Sequence, residues 1–253
     1  MSSSEKTRRV ALVTGGSRGI GAAICARLAR DGFHVGVGFH TNENAANEVL
    51  ARIRDAGGDG EAIRIDVADG SCVKTAVRAF VDRAGSLDVL VSCAGVTLSN
   101  LAVMTGDDEA RRVLDVNVAG AFFCAKAAIR PMIRAGGGRM IFIGSVAGFA
   151  GNAGQAVYAA SKAALSGLAK SLAKELAARH ILVNLVAPGL VDTGAGGMAD
   201  TMDEAFRASI LERIPLGRVG TSEDVAAAVA FFAGPDSAYV TGRTLVVDGG
   251  LWM

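Results

Sequence analysis

Short apolar runs alternate with longer amphipathic runs along most of this sequence. The short runs predict strands at Val10–Thr14, His34–Phe39, Glu61–Asp66, Leu87–Ser92, Arg139–Gly144, Ile181–Ala187 and Thr244–Val247. The longer runs predict helices near Gly21–Arg30, Asn44–Ala56, Ser71–Ala84, Asp108–Ile133, Val157–Arg179 and Ser222–Phe232. Strands that are apolar on both faces and alternate with helices are typical of a parallel sheet between two helical layers. The pattern predicts an α/β fold, a doubly wound (Rossmann) parallel seven-stranded sheet with helices on both faces.

The chain of 253 residues shows no linker that would divide it. We therefore predict a single domain over residues 9–253, preceded by a flexible N-terminal tail of residues 1–8. One segment, Gly189–Ile214, breaks the rhythm, because its run GLVDTGAGGMADTM is glycine-rich and weakly patterned. Long irregular segments in compact domains are commonly binding loops or lids, so we expect a lid here.

The net charge and the composition argue against several kinds of binding partner. The formal net charge is +1, which gives no electrostatic reason to expect a nucleic acid or an anionic membrane. Apolar runs such as VALV and MIFI have the length of strands, and the N-terminus MSSSEKTRRV does not resemble a secretory signal. The four cysteines form no CxxC pair and the three histidines are scattered, so no metal site is predicted. We expect a cytoplasmic protein with no membrane or nucleic-acid partner.

The sequence VALVTGGSRGIG places an apolar strand directly before a glycine-rich turn and a new helical pattern. Glycines let the backbone approach a pyrophosphate, and the following helix offers unpaired N–H groups and the positive end of its dipole. The spacing G-x-x-x-G-x-G differs from the G-x-G-x-x-G fingerprint and is not a P-loop. A tight β–α turn without a ligand is the alternative. We predict a dinucleotide site that includes Gly15, Gly16, Ser17, Arg18, Gly19, Ile20 and Gly21.

The end of the second strand indicates which dinucleotide is bound. NAD sites place an acid there, about 20 residues after the glycines, to bind the ribose hydroxyls. Here that position is His40, and no acid appears before Glu43. Arg18, inside the glycine turn, can pair with a 2′-phosphate, the alternative being a solvated surface charge. The missing acid and the added base together favour NADP(H) as the cofactor.

A second chemical signal is the pair Tyr158 and Lys162 in GQAVYAASKAAL. At positions i and i+4 they share one face of a predicted helix. A free tyrosine has a pKa of about 10, and a nearby ammonium lowers that pKa toward the range useful for proton transfer. Ser145 ends the strand MIFIGS at the edge of the sheet where ligands bind, so its hydroxyl can reach the same substrate oxygen. A structural tyrosine, a snorkelling lysine and a capping serine are the alternative.

Together these motifs resemble the short-chain dehydrogenase/reductase family over nearly the full length of the chain. TGGSRGIG is similar to its cofactor turn, and LDVNVAG, Ser145 and YAASK are similar to its catalytic set. The resemblance implies Tyr158 as the acid and Ser145 as the residue that orients the carbonyl. It implies Lys162 as the residue that binds the nicotinamide ribose and lowers the tyrosine pKa, and Asn117 as the holder of a water in a proton relay.

The resemblance also implies further cofactor contacts. Asp66 and Val67 would flank the adenine, beside His40 at the end of the second strand. The stretch APG with Thr193 matches a loop on the nicotinamide side, where Val191 would touch the cofactor. Besides the glycine turn, the implied cofactor-binding set is His40, Asp66, Val67, Cys93, Ala94, Gly95, Tyr158, Lys162, Pro188, Gly189, Val191 and Thr193.

Within this family, GNAGQAVYAASKAAL, PLGRVGTSEDVAAAVAFFA and AYVTGRTLVVDGGLWM are most similar to the ketoreductases that act on 3-oxoacyl groups of the acyl carrier protein. The resemblance implies a homotetramer and a carrier-protein docking residue at Arg179. Two departures stand out: SCAG replaces the usual Asn-Asn-Ala-Gly after the fourth strand, and RAGGGR is poorer in basic residues than the usual docking loop. Arg130, Arg134, Arg139 and Arg179 form either a docking patch or a solvated face.

Three functions fit these features. The leading one is an NADPH-dependent ketoreductase that reduces a 3-oxoacyl thioester of the acyl-carrier-protein type to the 3-hydroxyacyl product, as in fatty-acid biosynthesis. The second is a ketoreductase of a polyketide, polyene or other secondary pathway, or a short-chain alcohol or sugar dehydrogenase. A non-catalytic NADP(H)-binding protein ranks last, because such a protein has no need of the complete catalytic set.

Overall fold

The structure, a computed structural model, describes residues 8–194 and 204–253. Its strands are β1 Val10–Thr14, β2 His34–Phe39, β3 Asp59–Arg64, β4 Val89–Ser92, β5 Gly138–Ile143, β6 Ile181–Pro188, β7 Val191–Asp192, β8 Gly220–Thr221 and β9 Thr244–Val247. Seven of them form one parallel sheet in the order β3-β2-β1-β4-β5-β6-β9, whereas β7 pairs with β8 separately. The predicted doubly wound fold is confirmed.

Helices cover both faces of the sheet. They are α1 Gly19–Arg30, α2 Glu43–Asp55, α3 Gly70–Ala84, α4 Asp107–Leu114, α5 Gly120–Arg134, α6 Ala147–Ala150, α7 Ala156–Leu176, α8 Glu204–Leu211 and α9 Ser222–Ala233. Successive strand side chains point to opposite faces, so Leu12 packs into a core with α3, α5 and α7. Its neighbour Val13 packs into a second core with α1, α2 and α9.

The order of the strands reverses at the middle of the sheet. β1 pairs with β2 on one side and with β4 on the other, where Thr14 lies opposite Ser92. In open sheets of this kind, ligands bind in the crevice beyond the carboxyl ends of the strands at such a reversal. The glycine turn after β1 and the SCAG stretch after β4 therefore flank one crevice.

The helix predicted over Asp108–Ile133 is interrupted. A π-helical segment, Asp115–Ala119, lies between α4 and α5 and carries Asn117. Such segments are often found at functional sites. The helix then passes very close to the end of β3, because a Cβ at Gly120 would lie 2.9 Å from the carbonyl oxygen of Val67.

The predicted tail and lid are described only in part. Arg8, which the sequence prediction assigns to a flexible tail, pairs with Asp59 at a distance of 2.8 Å between Nη1 and Oδ2. The segment Gly189–Ile214 contains β7 at its start and α8 near its end, so it is less irregular than predicted. Residues 1–7 of the tail and residues 195–203 of the expected lid lie outside the described residues.

One helical run in the described part of the chain, residues 107–134, is long and apolar enough to cross a membrane by length and composition. The lengths of the continuous apolar stretches did not predict this, because charged residues such as Asp115, Lys126 and Arg130 interrupt the run. In the structure, 44 % of its most apolar window is buried inside the protein. Cys124, Ala128 and Met132 all belong to the first core, which accounts for the apolar character as that of a core helix.

Candidate active site

Six parallel strands bring the predicted site residues to one edge of the sheet. β1 leads into the glycine turn, β2 into His40, β3 toward Asp66 and Val67, β4 into Cys93, Ala94 and Gly95, β5 toward Ser145, and β6, which ends at Pro188, into Gly189, Val191 and Thr193. Tyr158 and Lys162 lie on α7, and Asn117 lies in the π-helical segment. The topology therefore collects at one crevice the residues that the sequence scatters along the chain.

The conformation of the turn after β1 explains its glycines. Gly15 has a φ of +66° and Gly19 a φ of +50°, both in the left-handed region. A Cβ at Gly15 would lie 2.8 Å from the Cα of Ala94, and a Cβ at Gly21 would collide with the carbonyl of Gly15. α1 begins at Gly19, and its N-cap residue Arg18 makes no side-chain capping bond. The first N–H groups of α1 are therefore left for an anion such as a pyrophosphate.

Thr14 joins the two strand ends that flank the crevice. Its buried Oγ1 accepts hydrogen bonds from the N–H groups of Cys93 and Ala94, each 3.2 Å long. SCAG has a serine and a cysteine where the resembled family has two asparagines, so it lacks two amide side chains that could brace these strand ends. Thr14 supplies such bonds from the neighbouring strand.

Tyr158 lies on α7 next to Ser145, with its hydroxyl in a largely dry environment. Burial raises the pKa of Tyr158, while hydrogen bonds with Ser145 and Thr97 act in the opposite direction. That Lys162 lowers this pKa stays a prediction. The Nζ of Lys162 lies 5.7 Å from the centroid of the tyrosine ring, and burial has the largest effect. The phenol is therefore protonated at neutral pH, which is the form that can donate a proton.

Lys162 is buried in the wall of the crevice, with 7 % of its surface exposed. Its Nζ donates a hydrogen bond of 2.9 Å to the carbonyl of Ile143, at the end of β5. Burial lowers the pKa of Lys162 to about 8, and the nearby thiol of Cys93 acts in the opposite direction. Burial likewise raises the pKa of Cys93 to about 11, against the attraction of Lys162. The lysine therefore changes charge close to neutral pH.

Asn117 connects the loop after β4 to α7. Its Oδ1 accepts a bond of 2.8 Å from the N–H of Val96, and its Nδ2 donates to the carbonyl of Val96 at 2.9 Å and to Oγ of Ser161 at 3.0 Å. A Cβ at Gly95 would lie 3.2 Å from Asn117 Oδ1 and 3.4 Å from Lys162 Nζ, so the glycine keeps this space open. The side chain of Asn117 is thus engaged in bracing the site, and its role in a water relay stays a prediction.

His40 and Asp66 form the far end of the crevice. His40 Nε2 lies 3.4 Å from Asp66 Oδ2, and the other oxygen of Asp66 accepts a bond of 3.0 Å from the N–H of Ala68. Val67 is buried beside them. Arg18 is exposed, and its side chain makes no hydrogen bond or ion pair within the described residues. The guanidinium of Arg18 is therefore without a partner among the described residues, and the carboxylate of Asp66 is already engaged.

The loop after β6 closes the other end of the crevice. β6 ends at Pro188, and a Cβ at Gly189 would lie 2.6 Å from the Cβ of Asp248, so only glycine fits where the chain leaves the sheet. The chain then passes next to the glycine turn at Thr193. A Cβ at Gly19 would lie 3.2 Å from the Cβ of Thr193. A ligand bound at the turn would therefore also meet this loop.

The sequence prediction missed three side chains that hold the site together, namely Thr14, Thr97 and Ser161. Thr14 is a hydroxyl at the end of an apolar strand, and Ser161 stands inside YAASK, so both carried a weak signal. Ser161 donates a bond of 2.6 Å to the carbonyl of Tyr158 while it accepts from Asn117. Thr97 carried no signal, because only the fold brings it to Tyr158.

The described residues contain no candidate metal-binding site. Within residues 8–194 and 204–253, no group of three or more His, Cys, Asp or Glu side chains is placed to hold a metal ion.

Known proteins resemble this chain over nearly its whole length. A family model described as enoyl-(acyl carrier protein) reductase matches residues 15–252. The 3-oxoacyl-(acyl-carrier-protein) reductase FabG of Staphylococcus aureus is 42 % identical over 248 residues, which cover 98 % of this chain and 100 % of that protein.

Solved structures show the same similarity. A dehydrogenase/reductase from Sinorhizobium meliloti 1021 matches with a TM-score of 0.90 and 40 % identity, over 97 % of this chain and 95 % of that one. The acetoin dehydrogenase YohF from Salmonella typhimurium matches with a TM-score of 0.87 and 36 % identity, over 96 % of each chain. The similar proteins therefore act on different substrates.

Proposed function

We propose that this chain, which belongs to the short-chain dehydrogenase/reductase family, is an NADPH-dependent ketoreductase that reduces a 3-oxoacyl thioester to the 3-hydroxyacyl product. Its family makes it an oxidoreductase that interconverts a CH–OH group and a carbonyl, with a nicotinamide cofactor. The observation that carries the proposal is the hydrogen bond between the phenol of Tyr158 and the hydroxyl of Ser145.

The residues at the crevice fit a nicotinamide dinucleotide. The uncapped start of α1 at Arg18 and the close glycine turn suit a pyrophosphate, and the loop at Thr193 lies next to that turn. Lys162 is buried in the wall of the crevice and bonded to the carbonyl of Ile143, and it would bind a ribose hydroxyl of the cofactor. When bound, the cofactor supplies the hydride.

Tyr158 then acts as the general acid and donates its proton to the carbonyl oxygen as that oxygen gains negative charge. Ser145 shares a hydrogen bond with the phenol and can donate to the same oxygen, which fixes the direction of the carbonyl. The ammonium of Lys162 stabilises the phenolate that remains, because the two groups share one dry pocket. The hydrogen bond between Asn117 and Ser161 fixes the position of α7 relative to the loop after β4.

The choice of NADPH rests on the far end of the crevice. Arg18 is exposed without a partner among the described residues, and His40 stands where NAD sites carry an acid. Asp66 is held by His40 and by the N–H of Ala68, so its carboxylate is engaged. A 2′-phosphate would meet a free guanidinium, which favours NADPH over NADH.

We expect Arg18→Ala to weaken NADPH binding by roughly tenfold or more and to leave NADH binding within about twofold, because only NADPH carries the 2′-phosphate. Fluorescence titration of both cofactors measures the two affinities. Arg30→Ala, an exposed arginine at the end of the same helix, is the control and should change neither affinity. An equal loss for both cofactors in Arg18→Ala would instead assign Arg18 to the shape of the turn.

An acyl substrate is favoured by the surface beside the site. The loop after SCAG exposes Leu101 at 61 %, Val103 at 87 % and Met104 at 67 %. This loop is tied to the start of α7 by a bond of 2.7 Å from the N–H of Asn100 to the carbonyl of Gly154. Exposed apolar side chains on a loop tied to the helix of Tyr158 suit an alkyl chain, since contact removes their surface from water.

A small ketone is the second candidate, and the structural similarity to an acetoin dehydrogenase favours it. A panel of acetoacetyl thioesters, acetoin, diacetyl and a ketose, read by loss of NADPH absorbance with NADH in parallel, separates the two. A kcat/KM at least tenfold higher for thioesters supports the proposal, and a preference for acetoin or diacetyl contradicts it.

A carrier protein would deliver such a thioester, and we place its docking near Arg179. This arginine is exposed in the short 3₁₀ turn that follows α7. Carrier proteins of this type are acidic, so an exposed cation provides a favourable first contact. The loop Ala135–Gly138 beside it contributes no charge, so the docking surface is weaker than the resemblance alone implies.

The proposed assembly is a homotetramer with two-fold interfaces. The outer face of residues 107–134 exposes Leu114, Phe122 and Ile133, each about 40 % exposed. Trp252 stacks on Phe149 of the same chain, with centroids 5.1 Å apart, so the C-terminus is only partly available to a partner. Met253 beside it is 96 % exposed. Burial of these apolar surfaces between copies would remove them from water.

We expect light scattering at micromolar concentration to give four times the chain mass of 25.7 kDa. Deletion of Leu251–Met253 should weaken one interface, and Phe122→Glu should weaken the other, so that each variant shifts toward a dimer. A monomer mass for the unmodified chain would refute the proposal, and a dimer would leave only one of the two interfaces.

A further inference from the structure

A second cavity lies at the opposite edge of the sheet, where the strands begin. It has a volume of about 340 Å³ and is lined by Arg9, Asp88 and Arg139, by His180 and by the glycine loop of residues 135–138. Arg9 precedes β1 and Arg139 is the second residue of β5. β1 is five residues long, so this cavity lies roughly 15 Å from the crevice at its other end.

Two guanidinium groups face this cavity without a carboxylate bonded to either of them in the described part of the chain. Arg9 is held by a bond of 2.6 Å from Nη2 to the carbonyl of Ala233, and its Cζ lies 4.4 Å from the ring centroid of Phe33. Arg139 donates from Nη1 only to the carbonyl of Gly138, at 3.2 Å. Its Nε is buried and has no hydrogen-bond partner.

The single acid of the cavity does not balance these charges. Oδ2 of Asp88 already accepts a bond of 2.7 Å from the N–H of Val10 and one of 3.0 Å from Oγ of Ser86. Burial lowers the pKa of both guanidinium groups. The attraction of Asp88 opposes this at Arg9, whereas repulsion by Arg9 adds to the lowering at Arg139. Partly buried charges of one sign destabilise the structure unless an opposite charge compensates them.

The backbone around the cavity is fixed in shape but offers no donors of its own. The N–H groups of Gly136, Gly137 and Gly138 are bonded to the carbonyls of Ile133, Met132 and His180. Gly137 must be glycine, because its φ is +152° and a Cβ would lie 2.8 Å from the carbonyl oxygen of His180. An anion here would therefore be bound by side chains, and the glycines leave room for it.

We propose that this cavity binds a small dianionic oxyanion, either phosphate or the phosphate group of a small ester, between the guanidinium groups of Arg9 and Arg139. Guanidinium groups bind phosphate through paired, charge-assisted hydrogen bonds. The unbonded donors of Arg139 supply such a pair, and Arg9 is held in place beside it. His180, exposed at the rim, adds a further donor.

Calorimetric titration of the full chain with sodium phosphate tests the proposal, with saturating NADP⁺ present so that the crevice is blocked. Glycerol phosphate in a second titration distinguishes the free ion from an ester, and sodium chloride at equal ionic strength is the background. We expect one saturable phosphate site per chain. Arg139→Gln should weaken it by roughly tenfold or more, because a charge-assisted pair is lost.

Arg134→Gln is the matched control, because Arg134 is exposed beside the same loop and does not line the cavity. Its phosphate affinity should stay within about twofold of the unmodified chain. If Arg139→Gln does not fold, as judged by circular dichroism, Arg9→Gln takes its place under the same criterion. The proposal is overturned by the absence of saturable binding, by equal losses in Arg134→Gln, or by a variant that alters KM for a carrier-bound substrate but not phosphate affinity.

Discussion

Replacement of Tyr158 by phenylalanine is expected to lower kcat for ketone reduction by roughly 10²–10⁴-fold, the usual contribution of a general acid. The ring keeps its packing, and only the hydroxyl that shares hydrogen bonds with Ser145 and Thr97 is lost. NADPH affinity should therefore remain within about twofold, because the proposed binding rests mainly on the glycine turn and Arg18. Single-turnover kinetics and a fluorescence titration measure the two quantities separately.

Tyr239→Phe is the control for this experiment. Tyr239 is the other tyrosine of the chain and is fully exposed, so its hydroxyl has no role at the site. Its variant should retain full activity. Near-normal turnover in Tyr158→Phe would show that another group donates the proton, and a loss of NADPH affinity in step with kcat would assign Tyr158 to binding.

Replacement of Lys162 by methionine is expected to lower kcat by roughly 10²-fold or more, because the phenolate formed during reduction loses its neighbouring ammonium. Methionine has a similar length and remains apolar in the buried wall. The bond from Nζ to the carbonyl of Ile143 is also lost. Turnover with excess NADPH, compared with NADPH affinity, separates the chemical loss from the binding loss.

Lys162→Met should also change how the free energy of unfolding depends on pH. Burial holds the pKa of Lys162 at about 8 in the folded protein, below its ordinary value of 10.5. Between these values the unfolded lysine binds a proton that the folded one has released, so the free energy of unfolding rises as pH rises. From pH 7.5 to 10.5 it should rise by about 3 kcal/mol more in the unmodified chain than in Lys162→Met. Urea unfolding at both pH values measures this difference.

Lys170→Met is the matched control, because Lys170 is exposed on the same helix. It should retain activity and the pH dependence of the unmodified chain. The other titratable groups at Lys162 are Tyr158 and Cys93, and both remain in the variant. Parallel pH profiles for Lys162→Met and the unmodified chain would contradict a lysine with a lowered pKa.

Much of the fold follows from the sequence, because hydrophobic alternation is a local signal. The strands Val10–Thr14, His34–Phe39 and Thr244–Val247 have the predicted bounds. The third strand was predicted at Glu61–Asp66 and is observed at Asp59–Arg64. It lies at the edge of the sheet, where its extent is set by pairing with β2, beginning at His34 and Asp59. That pairing is a tertiary contact that no local pattern contains.

The candidate site was predicted only in part, because some of its residues carry a local pattern and others are brought in by tertiary contacts. The glycine turn, Tyr158 and Lys162 each carry a local pattern, so the sequence indicates them. The π-helical segment that turns Asn117 into the core has no such pattern. Thr97 reaches Tyr158 only through the fold. The roles assigned to these residues stay predictions until the variants above are measured.

By itself the sequence determined the order of strands and helices, the glycine turn at the start of α1 and the resemblance to an oxidoreductase family, because each depends on the spacing of residues close together in the chain. Only the tertiary structure decided the protonation states at the site. Burial raises the pKa of Tyr158 and lowers that of Lys162, and their helical spacing does not predict these effects of burial. The fold also places Arg9 beside Arg139 at the far edge of the sheet. The physical reason is that desolvation depends on every group that surrounds a charge, and the fold brings those groups from distant parts of the chain.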